Sequence, residues 1–134
     1  MPTAANLFDA AAATPAAERA ETLLAGRGVR LERILSLGQA SPPGFWYDQA
    51  EAEWVAVLAG RARLTIAGEA ADRVLGAGDA LFLPAGCRHR VAWTDPGQPT
   101  VWLALFLDPA LEPGSPEDLR PEDPRPEDPR NETR

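Results

Sequence analysis

The sequence predicts an all-β protein built as a small antiparallel barrel or sandwich. From Val29 onward, apolar and polar residues alternate with a period of two, as they do along half-buried strands. Turn-forming clusters interrupt this alternation at short intervals, for example SPPG at 41–44 and DPGQP at 95–99. A chain of 134 residues with 45% hydrophobic content is long enough for one domain with a real core. Short strands at this spacing are typical of antiparallel sandwiches and barrels.

Residues 1–28 are predicted to form an N-terminal extension ahead of these strands. Within it, TPAAERAETLLAG at 14–26 predicts one short helix. Thr14 suits the N-cap, Pro15 suits the first helical position, and Gly26 suits the residue that ends a helix.

Seven strands are predicted between residues 29 and 108, which form the predicted barrel domain. They span residues 29–37, 54–59, 61–67, 72–75, 80–83, 89–94 and 100–107. The segment RARLTIA shows the pattern well, because its apolar residues alternate with two arginines and a threonine. Such a strand has one buried face and one face in water.

The last segment, residues 109–134, differs from the rest in its composition. It contains PEDLR followed by two copies of PEDPR. Residues 108–134 carry 9 acidic and 4 basic groups, net −5, whereas residues 1–107 carry 11 acidic and 9 basic groups, net −2. Because proline and charge at this density cannot build a core, the sequence predicts a disordered acidic tail.

Composition excludes several classes of function. The chain has no lysine and no cluster of arginines, so nucleic acid is not an expected partner. The longest apolar run, VWLALFL, is too short to span a bilayer, and no basic segment precedes the N-terminal alanines. We therefore expect a cytoplasmic protein that binds no membrane. The single cysteine, Cys87, excludes an internal disulfide and a metal site made of cysteines alone.

The only histidine of the chain, His89, stands in a recognisable motif. Gly78, Pro84, Gly86 and His89 form the pattern G-x5-P-x-G-x2-H. This pattern resembles the second signature motif of the cupin superfamily, in which the histidine points into a β-barrel as a metal ligand. The family motif continues with an asparagine four residues after the histidine, and Trp93 stands there instead.

The first cupin motif is present in part. Glu53 and Gly60 have the expected spacing E-x6-G. The two preceding histidines of the family are replaced, in one register by Tyr47 and Gln49 and in the other by Trp46 and Asp48. The segments GFWYDQAEAEWV and HRVAWT are similar to those of short single-domain cupins of the cupin 2 type, which are largely uncharacterised. This resemblance covers about residues 29–107 and implies a jelly-roll-like barrel.

The resemblance and the strand pattern together give a candidate site. Alternation along HRVAWT places His89 and Trp93 on one face, and the resemblance places Glu53 in the same cavity. The candidate ligand-binding residues are Trp46, Tyr47, Gln49, Glu53, His89 and Trp93. The candidate metal ligands are His89, Glu53 and Gln49, with Asp48 as the alternative to Gln49. Zinc, manganese, iron and nickel are the candidate metals, although the loss of two imidazoles should weaken their binding.

Two classes of function remain open at this point. In the first, the barrel binds a small molecule between aromatic walls and polar anchors, and His89 pairs with Glu53 without a metal. In the second, the protein is a metal-dependent enzyme, isomerase-like or dioxygenase-like, that acts on a small organic substrate. Trp54 alternates with Val55 and Trp102 with Leu103, so one residue of each pair should face outward. An outward tryptophan suggests a partner surface, and we expect a homodimer.

Overall fold

The computed structural model describes residues 2–111, and the regular secondary structure of this part of the chain is nearly all β. The strands are β1 (Arg19–Gly26), β2 (Val29–Ser36), β3 (Ala52–Ala59), β4 (Arg61–Ile66), β5 (Arg73–Gly76), β6 (Ala80–Leu83), β7 (His89–Thr94) and β8 (Thr100–Leu107). A single turn of 3-10 helix, η1 (Pro109–Leu111), follows β8. Within residues 2–111, no helix has the length and apolar character that a bilayer crossing requires.

The strands form two antiparallel sheets that face each other. One sheet has five strands in the order β1-β2-β8-β3-β6, and the other has three in the order β5-β4-β7. Buried apolar side chains from both sheets form one core, which includes Val57, Leu64, Leu75, Trp102 and Ala104. The arrangement confirms the predicted all-β class and the barrel. All seven predicted strands are present, within about two residues of their predicted ends.

The predicted helix over residues 14–26 is wrong. Residues Arg19–Gly26 form β1, which pairs antiparallel with β2 from Arg19↔Leu35 to Gly26↔Val29. Thr14 accepts a hydrogen bond at Oγ1 from the backbone N–H of Ala16, at 3.2 Å, and so stabilises a tight turn instead of a helix. The edge of β2 provides hydrogen-bond partners for the backbone N–H and C=O groups of this segment. Pairing of this kind between strands overrides a weak helix propensity.

The predicted N-terminal extension therefore contributes a strand to the larger sheet. The residues ahead of it are held by Arg33 of β2, whose Nη1 donates to the carbonyl oxygens of Asn6, Leu7 and Asp9 at 2.5 to 3.3 Å. At the other end, Asp108 donates its backbone N–H to the Gly28 carbonyl at 2.8 Å. Residues 112–134, which include the proline and charge repeat of the predicted tail, lie outside the described residues.

Two motif glycines occupy turns that need left-handed backbone. Gly60, between β3 and β4, has φ +87°, and a Cβ there would lie 2.5 Å from the Pro99 carbonyl oxygen. Gly86, ahead of β7, has φ +76°. Glycine alone adopts these angles without steric cost. The two glycines therefore allow the tight turns at the end of β3 and ahead of β7.

Candidate functional site

A cavity of about 190 Å³ opens between the two sheets. Its apolar wall consists of Ala20, Ile34, Val55, Leu64, Leu83, Val91, Trp102 and Phe106. Its polar lining consists of Glu18, Glu32, Tyr47, Gln49, Glu53 and His89. The cavity thus combines a hydrophobic body with a cluster of acidic and hydrogen-bonding groups.

His89 is fixed at the start of β7 and is 5% exposed. Its Nδ1 atom lies 2.9 Å from the carbonyl oxygen of Cys87. Because a carbonyl oxygen can only accept, Nδ1 carries a proton and donates it there. The other ring nitrogen, Nε2, faces Glu53 Oε1 at 3.6 Å.

Glu53 reaches the same cavity from β3 and is 8% exposed. The Nε2 amide of Gln49 donates to Glu53 Oε1 at 3.2 Å. Burial acts to lower the pKa of His89, but the Glu53 carboxylate and the Cys87 carbonyl outweigh it, and the net pKa of His89 is raised. The arrangement therefore favours an imidazolium beside a carboxylate.

Tyr47 is held against His89 by its backbone. The Tyr47 N–H donates to the His89 carbonyl at 2.7 Å, and the His89 N–H donates to the Tyr47 carbonyl at 3.1 Å. The two rings are stacked, with centroids 5.3 Å apart and planes 22° apart. Burial raises the pKa of Tyr47, and the carboxylates of Glu18 and Glu53 raise it further.

The two hydrogen bonds between the backbones of Tyr47 and His89 place one of the two possible registers of the first cupin motif in the cavity. Tyr47 and Gln49 line the cavity, whereas Asp48 is exposed. Trp46 lies outside the cavity lining, with the guanidinium of Arg88 5.3 Å from its ring centroid. Of the two candidates for the third ligand position, Gln49 is therefore beside Glu53 and Asp48 is not.

Trp93 is also outside the cavity, and the predicted alternation along β7 is wrong at this point. In the pairing with β4, Leu64 faces Val91 and Arg63 faces Trp93, so Ala92 is an extra residue in a β-bulge. Val91 keeps its place in the cavity lining. The bulge turns Trp93 to the outer face, where the Arg63 guanidinium lies 5.2 Å from its ring.

Among the lining residues that carry a polar side-chain atom, three were not predicted from the sequence. Glu32 lies on β2 and forms an ion pair with Arg30, whose Nε atom is 2.7 Å from Glu32 Oε2. Trp102 on β8 is 3% exposed and donates from Nε1 to Ser36 Oγ at 3.0 Å. The alternation of inward and outward residues along β2 and β8 is the sequence signal that could have indicated Glu32 and Trp102.

Glu18, the third residue, stands just ahead of β1 at the rim of the cavity. Ser36 Oγ donates to its Oε1 at 3.1 Å. Burial raises the pKa of Glu18, and the Ser36 hydrogen bond offsets part of this effect. No sequence signal pointed to Glu18, which stands outside both cupin motifs and is an exposed residue.

The donor set does not fit the metal site that the cupin motifs imply. Among residues 2–111 there is no group of three or more histidine, cysteine, aspartate or glutamate side chains placed to hold an ion. His89 and Glu53 provide one imidazole and one carboxylate, and the nearest third group, Gln49, donates its amide to Glu53. One imidazole and one carboxylate form a weak set for a late transition metal.

The family model described as cupin domain matches residues 34–106, which is more than half of the chain. This protein belongs to the cupin family. Its residues Glu53 and His89 thus occupy motif positions of a cupin barrel, while the histidine pair of the first motif is absent.

Solved structures agree with this assignment. A Ralstonia eutropha JMP134 protein, named "putative mannose-6-phosphate isomerase", is 51% identical over 80% of this chain and 99% of its own, with a TM-score of 0.77. A Cupin 2 conserved barrel domain protein from Salinispora arenicola CNS-205 is 27% identical over 69% of this chain and 77% of its own, with a TM-score of 0.54. A cupin superfamily protein from Desulfitobacterium hafniense DCB-2, 17% identical with a TM-score of 0.62 over 80% of this chain and 94% of its own, supports the fold alone. A comparison with curated proteins finds no match.

Proposed function

We propose that this cupin is a binding protein for a small organic molecule, which it holds in the barrel cavity without a resident metal. The observation that carries the proposal is the cavity itself, in which apolar and aromatic walls surround the buried Glu53–His89 pair. Small-molecule sites in proteins commonly combine a mostly apolar pocket with a few fixed polar groups. The polar groups here are already oriented by protein contacts, so ligand binding would require little rearrangement.

The alternative is a metal-dependent enzyme, isomerase-like or dioxygenase-like. The orientation of His89 favours it, because a ring that donates from Nδ1 to a carbonyl and turns Nε2 to a cavity is typical of metal-ligating histidines. The shortage of further donors around His89, among the residues that the structure describes, argues against it. The name of the Ralstonia relative adds a sugar-phosphate isomerase to this class, yet the described residues place no arginine in the cavity lining to neutralise a phosphate.

Cyclohexanol is a suitable neutral probe, since it has an apolar body and one hydroxyl group. We expect ligand-observed NMR to detect its binding and the tryptophan emission to shift on titration. Trp102 lines the cavity and Trp54 lies on the outer face, 37% exposed. The Trp102→Phe variant should therefore lose the emission shift, and the matched Trp54→Phe variant should keep it. A shift that survives in Trp102→Phe would place the probe elsewhere and contradict the proposal.

We also propose that a second copy of the chain covers the outer face of the larger sheet. Strand pairing aligns one apolar row across all five strands, made of Leu24, Leu31, Leu105, Trp54 and Phe82. Leu24 is 66% exposed, and the residues beyond Leu111 have Leu119 as their one large apolar side chain. This acidic, proline-rich segment cannot bury such a row, whereas a second copy would offer the same apolar row in return.

The oligomeric state tests this second proposal. In sedimentation velocity the protein should behave as a dimer, and Trp54→Glu should convert it to a monomer. The matched control is Val74→Glu on β5 of the other sheet, where Val74 is 59% exposed. A monomeric wild type, or a dimer in the Trp54→Glu variant, would rule out this interface.

A further inference from the structure

The charged groups that line the cavity are almost all acidic. Glu18, Glu32 and Glu53 contribute three carboxylates, and within residues 2–111 His89 is the one group of the lining that can carry a positive charge. No arginine of the described part of the chain belongs to the lining, and the whole sequence contains no lysine. A cavity with this lining attracts cations and repels anions.

The three carboxylates differ in how well they are neutralised. Glu32 has the Arg30 guanidinium at 2.7 Å, and Glu53 has the His89 imidazole at 3.6 Å. Among the described residues, Glu18 has no cationic partner within ion-pair distance, and its hydrogen bond comes from the neutral Ser36 hydroxyl. Ser36 Oγ also accepts from Trp102, so its single proton is the one it gives to Glu18.

Two carboxylate oxygens remain available to a ligand in the part of the chain that the structure describes. Glu53 is 8% exposed, and its contacts with Gln49 and His89 both fall on Oε1, which leaves Oε2. Glu18 makes its hydrogen bond through Oε1 and likewise keeps Oε2. Glu53 is buried, whereas Glu18 is exposed at the rim, so a ligand that donates N–H groups would find one acceptor inside the cavity and one at its mouth.

The aromatic part of the wall suits the same kind of ligand. Tyr47, Trp102 and Phe106 present rings to the cavity, and ring faces attract cations. Phe106 already has the Arg30 guanidinium 4.3 Å from its ring centroid. The remaining wall is aliphatic and would enclose the body of the ligand.

We infer that the cavity selects an organic ammonium ion, an amine with an apolar body, whose N–H groups bind Glu18 and Glu53. The inference rests on the proposed binding function and specifies its ligand class. It also separates this protein from sugar-phosphate chemistry, since a phosphate would meet three carboxylates and one imidazole.

Three probes of equal shape test the inference on the full-length protein: cyclohexylammonium, cyclohexanol and cyclohexanecarboxylate. We expect cyclohexylammonium to bind about tenfold more tightly than cyclohexanol, as one charge-assisted hydrogen bond allows, and cyclohexanecarboxylate to bind more weakly than both. Mannose 6-phosphate, as a fourth probe, should not compete with cyclohexylammonium. Dissociation constants come from ligand-observed NMR at fixed salt concentration.

Variants then locate the charge selectivity. Glu18→Gln should reduce the ratio of cyclohexylammonium affinity to cyclohexanol affinity about tenfold. The matched control is Glu21→Gln, three residues away, where the carboxylate pairs with Arg33 and does not line the cavity. Cyclohexanol binding without any preference for the ammonium would overturn the inference and leave the binding function standing. If none of the three cyclohexyl probes binds, the result contradicts both the inference of an ammonium ligand and the proposed binding function.

Discussion

The Nε2 atom of His89 lies 3.6 Å from Oε1 of Glu53, and this pair joins the two sheets of the barrel. Glu53 belongs to β3 in the five-stranded sheet, and His89 belongs to β7 in the three-stranded sheet. Both residues are buried. The two motif positions that the chain retains therefore meet across the cavity, where they can stabilise the fold and contact a ligand.

The first prediction concerns the pH dependence of this pair. The pKa of His89 is raised, so the stability that its ion pair contributes is fully present below the ordinary histidine pKa of about 6.5 and is lost as the pH rises through the raised value. Glu53→Gln should lower the Tm by about 4 °C near pH 6, and by less at pH 9. Thermal denaturation between pH 5.5 and 9 measures the difference.

Glu51→Gln is the control for that measurement. Glu51 pairs with Arg30 at 3.2 Å, and an arginine does not titrate in this range. The effect of Glu51→Gln should therefore be nearly constant with pH. A Glu53→Gln effect that is equally constant would show that His89 is not charged in the folded protein.

The second prediction concerns Glu18, whose pKa is raised chiefly by burial. Folding disfavours the charged form of Glu18 relative to the unfolded chain, so the stability that the neutral form contributes is present below the ordinary glutamate pKa of about 4.3 and is lost as the pH rises through the raised value. Glu18→Gln should therefore raise the Tm at pH 7 and have little effect at pH 4. Calorimetry at both pH values tests this, and a lower Tm at pH 7 would mean that the carboxylate supports the fold.

The third prediction concerns Gly60, the turn glycine between β3 and β4. Gly60→Ala should lower the free energy of unfolding by about 3 kcal/mol, because it combines a left-handed φ with a Cβ 2.5 Å from the Pro99 oxygen. Gly68 is the matched control, since its φ is +88° and nothing lies within 4 Å of a Cβ there. Gly68→Ala should cost about 1 kcal/mol. Urea denaturation gives both values, and equal losses would contradict the role of the close contact.

The fourth prediction concerns metal content. Protein purified without an affinity tag should contain zinc, manganese, iron and nickel well below one ion per chain, because His89 and Glu53 lack a third strong donor. Elemental analysis at known protein concentration measures this. Near-stoichiometric metal that is lost in His89→Ala would favour the metal-dependent enzyme over the metal-free binding protein.

Much of the fold was predictable from the sequence. Alternation and turn residues predicted seven strands because each signal lies within a few neighbouring residues. The error over residues 14–26 has a clear cause, since β1 is an edge strand with seven of its eight residues exposed. Such a strand shows no clean alternation of apolar and polar residues. The prediction for residues 14–26 therefore rested on the helix-like signals at Thr14 and Pro15.

The candidate site was predictable in part. The motif spacing indicated Glu53 and His89, and the structure brings them together with Tyr47 and Gln49. Trp93 was misplaced because a β-bulge at Ala92 reverses the alternation on which its prediction rested. The ligand-binding and metal-binding roles of these residues stay predictions.

By itself, the sequence determined the all-β class, most of the strands, the cupin motifs and the loss of two histidines from them. The tertiary structure decided three further points: the register that turns Gln49 inward, the bulge that turns Trp93 outward, and the pairing of β1 that brings Glu18 to the cavity. The physical reason is the range of the interactions. Alternation and turn chemistry act between neighbours in the chain, whereas these three points depend on hydrogen bonds between strands that are distant in sequence.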